Sequence, residues 1–139
     1  MERKTRDLLI RGGRVIDPAS DRDEVCDVFI KNGRIEDIGV GLGLPDGITE
    51  LQATGLVVAP GFVDPHCHLR QPGYEYKETI ATAAAAAAAG GFTTVCAMAN
   101  TNPVVDTKST LENVQEIAAG QHSVNVYTLA AITIALEGK

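Results

Sequence analysis

Phe62-Val63-Asp64-Pro65-His66-Cys67-His68-Leu69, then an unbroken alanine run from Ala83 to Ala89, then Gly90-Gly91 and Phe92-Thr93-Thr94-Val95-Cys96-Ala97-Met98, is the stretch that decides the fold. Its first and last segments carry the β-branched and aromatic residues that suit strands, although Pro65 interrupts one ladder. Alanine is the best helix former, so the middle reads as a helix over roughly 76–89. Without bulky side chains, that helix can approach a sheet closely. Gly90-Gly91 ends it with a residue suited to a left-handed cap. Strand, helix and strand at this spacing make a parallel βαβ unit.

Toward the C-terminus the pattern repeats. Ser109-Thr110-Leu111-Glu112 has the spacing of a capping box, and Leu111, Val114 and Ala118 follow at helical intervals up to Gly120. Val124 to Ala131 reads as a third strand, and no helix is visible after it. Toward the N-terminus the character changes. Leu8-Leu9-Ile10 and Val15-Ile16 flank Gly12-Gly13, which reads as a tight turn. Val25 to Ile30 and Arg34 to Ile38 flank Lys31-Asn32-Gly33, and Asn-Gly between apolar runs is the strongest short hairpin signal. A polar connection covers Gly39 to Thr49, and Leu56-Val57-Val58-Ala59 resumes a buried-strand pattern. The expected class is α/β, with a small all-β layer in residues 1–60 and alternating parallel units in 61–139.

Composition narrows the function classes. Hydrophobic types make up 45% of the 139 residues but aromatics only 4%, so helices and turns pack through small residues. A net charge of −6 with no Lys/Arg cluster speaks against a nucleic-acid partner. The longest low-polarity stretch, Ile80 to Ala89, contains Thr82 and is too short to span a bilayer. Met1 to Asp7 is charged, and Leu8-Leu9-Ile10 is too short for the apolar core of a signal peptide. Cys26, Cys67 and Cys96 are too few and too scattered for a disulfide framework. Each reads as a small buried apolar residue, and the expected compartment is the cytoplasm. A complete (β/α)₈ barrel takes about 250 residues, more than this chain has.

The sharpest chemical feature is His66-Cys67-His68. In a regular strand, residues two apart project from one face, so both imidazoles can converge on a metal ion. Asp64 would share that face and Cys67 would point away. The spacing alone equally suits paired surface or core histidines. Arg70 follows where the strand gives way to Gln71-Pro72-Gly73. Its planar fork suits a carboxylate, and a surface salt bridge is the alternative. Ala99-Asn100-Thr101-Asn102-Pro103 falls at the matching end of the next strand, where ligands collect in parallel α/β architectures. Asn100 can donate and accept hydrogen bonds there, or simply form a turn. His122 reads as an exposed residue, and Glu75, Lys77 and Glu78 as a solvated helix start.

Gly61-Phe62-Val63-Asp64-Pro65-His66-Cys67-His68-Leu69-Arg70-Gln71-Pro72-Gly73, with Glu75-Tyr76-Lys77-Glu78-Thr79, resembles the signature of dihydroorotases in the amidohydrolase superfamily. Gly90 to Pro103 resembles the same family's second-strand motif, and the N-terminal hairpins match its layout. Ala97 and Ala99 stand where the family usually has proline, which bears on the rigidity of that loop.

The resemblance implies the N-terminal part of a small β-sandwich in 1–60 and the first strands and helices of a (β/α)₈ metal-dependent hydrolase barrel, truncated, in 61–139. It implies His66 and His68 as ligands of one zinc in a two-zinc centre, and His68, Leu69, Arg70 and Asn100 as substrate contacts. The implied reaction is reversible cyclisation of N-carbamoyl-L-aspartate to dihydroorotate in pyrimidine biosynthesis. The family's bridging carboxylate, second-zinc histidines and general-base Asp lie on later strands. The expectation is therefore an N-terminal fragment, inactive and poorly folded alone. Within the superfamily, allantoinases and hydantoinases share the His-x-His strand; a non-catalytic partner subunit is a different class of alternative. The implied partners are a small-molecule substrate and either a second copy or another pyrimidine-pathway enzyme.

Overall fold

Strand β1 (Leu8–Asp17) does not turn at Gly12-Gly13 but runs straight through them. In the computed structural model, which describes residues 7–43, 47–121 and 123–138, β1 pairs antiparallel with β2 (Arg22–Lys31). Ile10 faces Val28 and Gly13 faces Cys26, so Arg11 and Gly12 together oppose Asp27 in a β-bulge. Gly12 sits at φ 68°, which glycine adopts without steric cost. A Cβ on Gly13 would lie 2.6 Å from Val58 Cγ2, so this glycine permits close strand approach. The doublet serves a bulge, and the expected turn is not there.

Asp27 is 4% exposed and closes the bulge. Its carboxylate accepts hydrogen bonds from the N–H of Gly12 at 2.8 Å and of Leu42 at 3.0 Å, and pairs with Arg11 at 3.1 Å. The Asn-Gly hairpin forms as expected: β2 meets β3 (Arg34–Gly39) across Asn32 and Gly33, both at positive φ. Strands β4 (Thr49–Gln52) and β5 (Val57–Val58) each pair parallel with β1, giving the order β3-β2-β1-β4 with β5 also on β1. All four residues of β4 are exposed and only Leu51 is aliphatic, so no local pattern announces this strand.

The chain divides into two units, Met1–Pro60 and Gly61–Lys139. The second contains β6 (Phe62–Cys67), α1 (Ile80–Ala89), β7 (Phe92–Ala97), α2 (Lys108–Ala119), β8 (Asn125–Thr128) and a 3₁₀ turn at Ile134–Leu136. Its strands are parallel in the order β6-β7-β8, the α/β arrangement expected from the alternation. Ile80, Ala83 and Ala84 of α1 and Val114 and Ala118 of α2 form one core with Val95 and Ala97 of β7. Both helices thus cover one face of the sheet. The other face carries Val63 and Tyr127, which are 59% and 61% exposed.

Both helices begin away from their expected starts. Residues 76–79 are not helical, because Thr79 and Thr82 cap each other reciprocally and Gln71 Oε1 accepts from the Ile80 N–H at 3.0 Å. Helix α2 is capped by Thr107 with Thr110 in the same reciprocal way, so Ser109 lies inside the helix. The third strand is shorter than its expected 124–131 span. His122 lies outside the described residues. Of the cysteines, Cys26 is buried while Cys67 and Cys96 are partly buried, and all three are free. Among the described residues no helix is long and apolar enough to cross a membrane.

Candidate active-site rim at the ends of β6 and β7

Pro65 has no N–H to give the ladder, and the strand bulges there. Asp64 pairs with Val95 and Cys67 with Ala97, so three steps along β6 match two along β7. Val95 and Ala97 are buried in the helix-covered core. Asp64 and Cys67 therefore share the helix-side face, contrary to the alternation expected for an unbroken strand. They line a small cavity of about 200 Å³ with Glu78 and Ala83. Burial, with the nearby Asp64, Cys96 and Glu78, pushes the Cys67 thiol up to about 11. His66, beside the core-packed Cys67, is exposed, while the partly buried His68 lies past the strand end and also borders the cavity.

The two imidazoles lie 5.5 Å apart between ring centres, tilted by 66°. His68 sits just past the end of β6, and its Nδ1 is 2.8 Å from Oδ1 of Asn100. The two strand ends expected to face one crevice do meet, through residues 32 positions apart in the chain. Their loops are stitched together by main-chain bonds. The Met98 N–H donates to the Cys67 carbonyl at 2.9 Å, and the Asn102 N–H to the Pro72 carbonyl at 3.0 Å. Gly73, at φ 92°, lies so close that a Cβ there would be 2.1 Å from the Asn102 carbonyl oxygen.

The Asn100 loop is held without proline at 97 or 99. Ala97 and Ala99 are buried, Val105 N–H donates to the Ala99 carbonyl at 3.0 Å, and the buried Thr101 hydroxyl donates to the Pro103 carbonyl at 2.8 Å. Arg70 lies at φ 66°, an uncommon conformation for a residue with a Cβ. Its guanidinium makes no ion pair with any described residue. The Leu69 side chain, only 5% exposed, belongs to the core, which leaves its backbone as the part able to meet a ligand. Glu75 accepts from the Gly73 N–H and Lys77 lies 5.4 Å from the Tyr74 and Tyr76 ring centres, so both belong to the loop and not to a helix start. Sequence reasoning missed the contact of Asn100 with His68 and the cap that Gln71 places on α1. Neither has a local signal.

Comparison with known proteins identifies the family. Residues 55–139 match the family described as Dihydro-orotase-like. The chain belongs to that family. It is 47% identical to a dihydroorotase of Geobacter metallireducens, over 95% of this chain and 31% of the relative. It is 51% identical to a dihydroorotase of Streptococcus pneumoniae serotype 4, over the same shares. The dihydro-orotase-like chain thus spans about 31% of the length of the curated relatives it matches. Its fold matches that of an L-hydantoinase (dihydropyrimidinase) from Arthrobacter aurescens with a TM-score of 0.80 at 23% identity, covering 91% of this chain and 28% of the other. At that identity the likeness is one of fold.

Proposed function

We propose that this chain supplies the first metal ligands and the substrate-anion contacts of a dihydroorotase, which interconverts N-carbamoyl-L-aspartate and dihydroorotate. The observation that carries the proposal is the convergence of His66, His68 and Asn100 where β6 and β7 end, in a member of the dihydro-orotase-like family. In this reading residues 1–60 begin a small β-sandwich and residues 61–139 begin a (β/α)₈ barrel, whose catalytic rim lies at the strands' C-terminal ends.

The donor set fits zinc. Two imidazoles that share a tetrahedral ion at about 2.0–2.1 Å place their ring centres roughly 5 Å apart, close to the 5.5 Å between His66 and His68. Among the described residues no group of three or more His, Cys, Asp or Glu is placed to hold a metal. Remaining ligands and a general base would come from strands beyond this chain. When bound, zinc supplies Lewis acidity at an amide carbonyl and lowers the pKa of water.

The chain's own residues do the positioning. Arg70 offers a planar two-pronged donor to a substrate carboxylate, and the Asn100 amide adds a hydrogen bond beside it. Fixing the anion at two points holds the scissile amide in one orientation, which lowers the entropic part of the barrier. The chain's negative charge and free cysteines support a small-molecule enzyme of the cytoplasm. A homo-oligomer or a complex with another pyrimidine-pathway enzyme would complete the reading.

The test is purified full-length protein assayed on dihydroorotate, hydantoin and allantoin, with zinc measured by mass spectrometry. Turnover of dihydroorotate above the other two, with bound zinc, is expected. Preference for hydantoin or allantoin would move the protein to a sister activity, and absence of all three with no zinc would favour a non-catalytic subunit.

A further inference from the structure

We infer that Asn100 is a positioning residue for His68, fixing the imidazole tautomer that presents Nε2 to a metal. The inference rests on the proposed metal role of His68 and goes beyond a substrate contact for Asn100. Oδ1 of Asn100 lies 2.8 Å from Nδ1 of His68. An amide oxygen can only accept, so the proton of a neutral imidazole must sit on Nδ1. The lone pair is then on Nε2, the nitrogen left for a ligand. A hydrogen bond at the far nitrogen of a ligating histidine fixes its tautomer and raises its basicity.

The surroundings hold Asn100 in place for this task. Its neighbours Ala99 and Thr101 are buried, and the loop is tied to the β6 loop at Met98 and Asn102. With Oδ1 committed to His68, the amide NH₂ is the half left to donate to a substrate anion. One side chain would then join the metal ligand to the anion site. A change at residue 100 should therefore act on metal binding as well as on KM.

The full-length protein, freed of metal, tests this. Long-range ¹H–¹⁵N NMR should show the His68 proton on Nδ1 in the wild type, and this preference should vanish in Asn100→Ala. Zinc affinity from competition with a chromogenic chelator should fall about 10–100-fold in Asn100→Ala. Asn100→Asp, which keeps an acceptor, should restore the tautomer and most of the zinc affinity. Thermal melting of both metal-free variants controls for folding. A wild-type His68 protonated on Nε2, or an Asn100→Ala protein with raised KM and unchanged zinc affinity, would overturn the inference. Failure of the wild type to bind zinc at all would instead sink the functional reading beneath it.

Discussion

In residues 1–60 the buried acid, Asp27, turns both oxygens onto its own backbone and Arg11. In residues 61–139 the polar groups where β6 and β7 end leave donors and acceptors over. Both regions contain a bulge with a carboxylate turned onto the backbone, but Asp27 is buried and ion-paired, while Asp64 is only partly buried and stands just before a rim. The Asp27 carboxylate satisfies the Gly12 amide within the bulge and the Leu42 amide of the loop after β3. At Pro65, which has no N–H of its own, the next amide, that of His66, donates to the Asp64 carboxylate at 2.9 Å. The two differ in what adjoins the bulge: the Leu42 amide closes on Asp27, whereas past Pro65 stands the exposed His68–Asn100 pair.

The strongest break in this contrast is His68→Ala in the full-length protein. Loss of a proposed ligand should reduce zinc-dependent turnover by more than the roughly 10–100-fold typical of losing an outer hydrogen-bond partner. The melting temperature of the metal-free protein should barely move; retained turnover would remove His68 from the site.

Gly73→Ala strikes the seam between the two rim loops. A left-handed backbone alone costs about 1–2 kcal/mol for a residue with a Cβ, and the Asn102 carbonyl must also move. Urea unfolding should show the loss and KM should rise; if neither changes, the contact does not hold the rim.

Asp27→Ala should destabilise by about 1–3 kcal/mol through amides left unpaired, with kcat unchanged, since nothing in that network belongs to the proposed site. A fall in kcat at constant stability would erase the contrast.

The smallest effect belongs to the exposed pair Arg14–Asp23. Hydrogen bonding to the Arg14 guanidinium, with its charge, holds the Asp23 carboxyl below its ordinary value. A depressed folded pKa gives stability above the unfolded value of about 3.9 and loses it as pH falls through the lower folded value. The melting difference between wild type and Asp23→Asn should therefore shrink in acid; a difference that grows there would reverse the sign.

What could be read from the chain follows the range of the forces involved. The Asn32-Gly33 hairpin and the βαβ alternation are local, written in turn chemistry and periodicity. Gly12-Gly13 reads as a turn, wrongly, because a bulge uses the same left-handed backbone; Asp27, far along the chain, decides for the bulge. Strand β4 exists through parallel pairing with β1 and has no apolar rhythm of its own. At α2, two hydroxyl residues stood two positions apart, and the extended backbone at Thr107 selected it as the cap. His66 and His68 were legible as a pair and Asn100 as a rim residue. Their contact was not, because it depends on parallel register.

The extra residue at Pro65 acts on β6 as a phase slip acts on a wave of period two. Upstream of it the even-numbered Asp64 shows to the helices; downstream the odd-numbered Cys67 does. Counting along Asp-Pro-His-Cys-His as though the rhythm were unbroken assigns three ligand types to one face. Restoring the slip puts Asp64 with Cys67 on the helix side, its carboxylate turned back onto the His66 N–H. Deleting Pro65 would take out the slip and the extra residue together, so Asp64 and Cys67 would keep one face and the carboxylate would gain no imidazole.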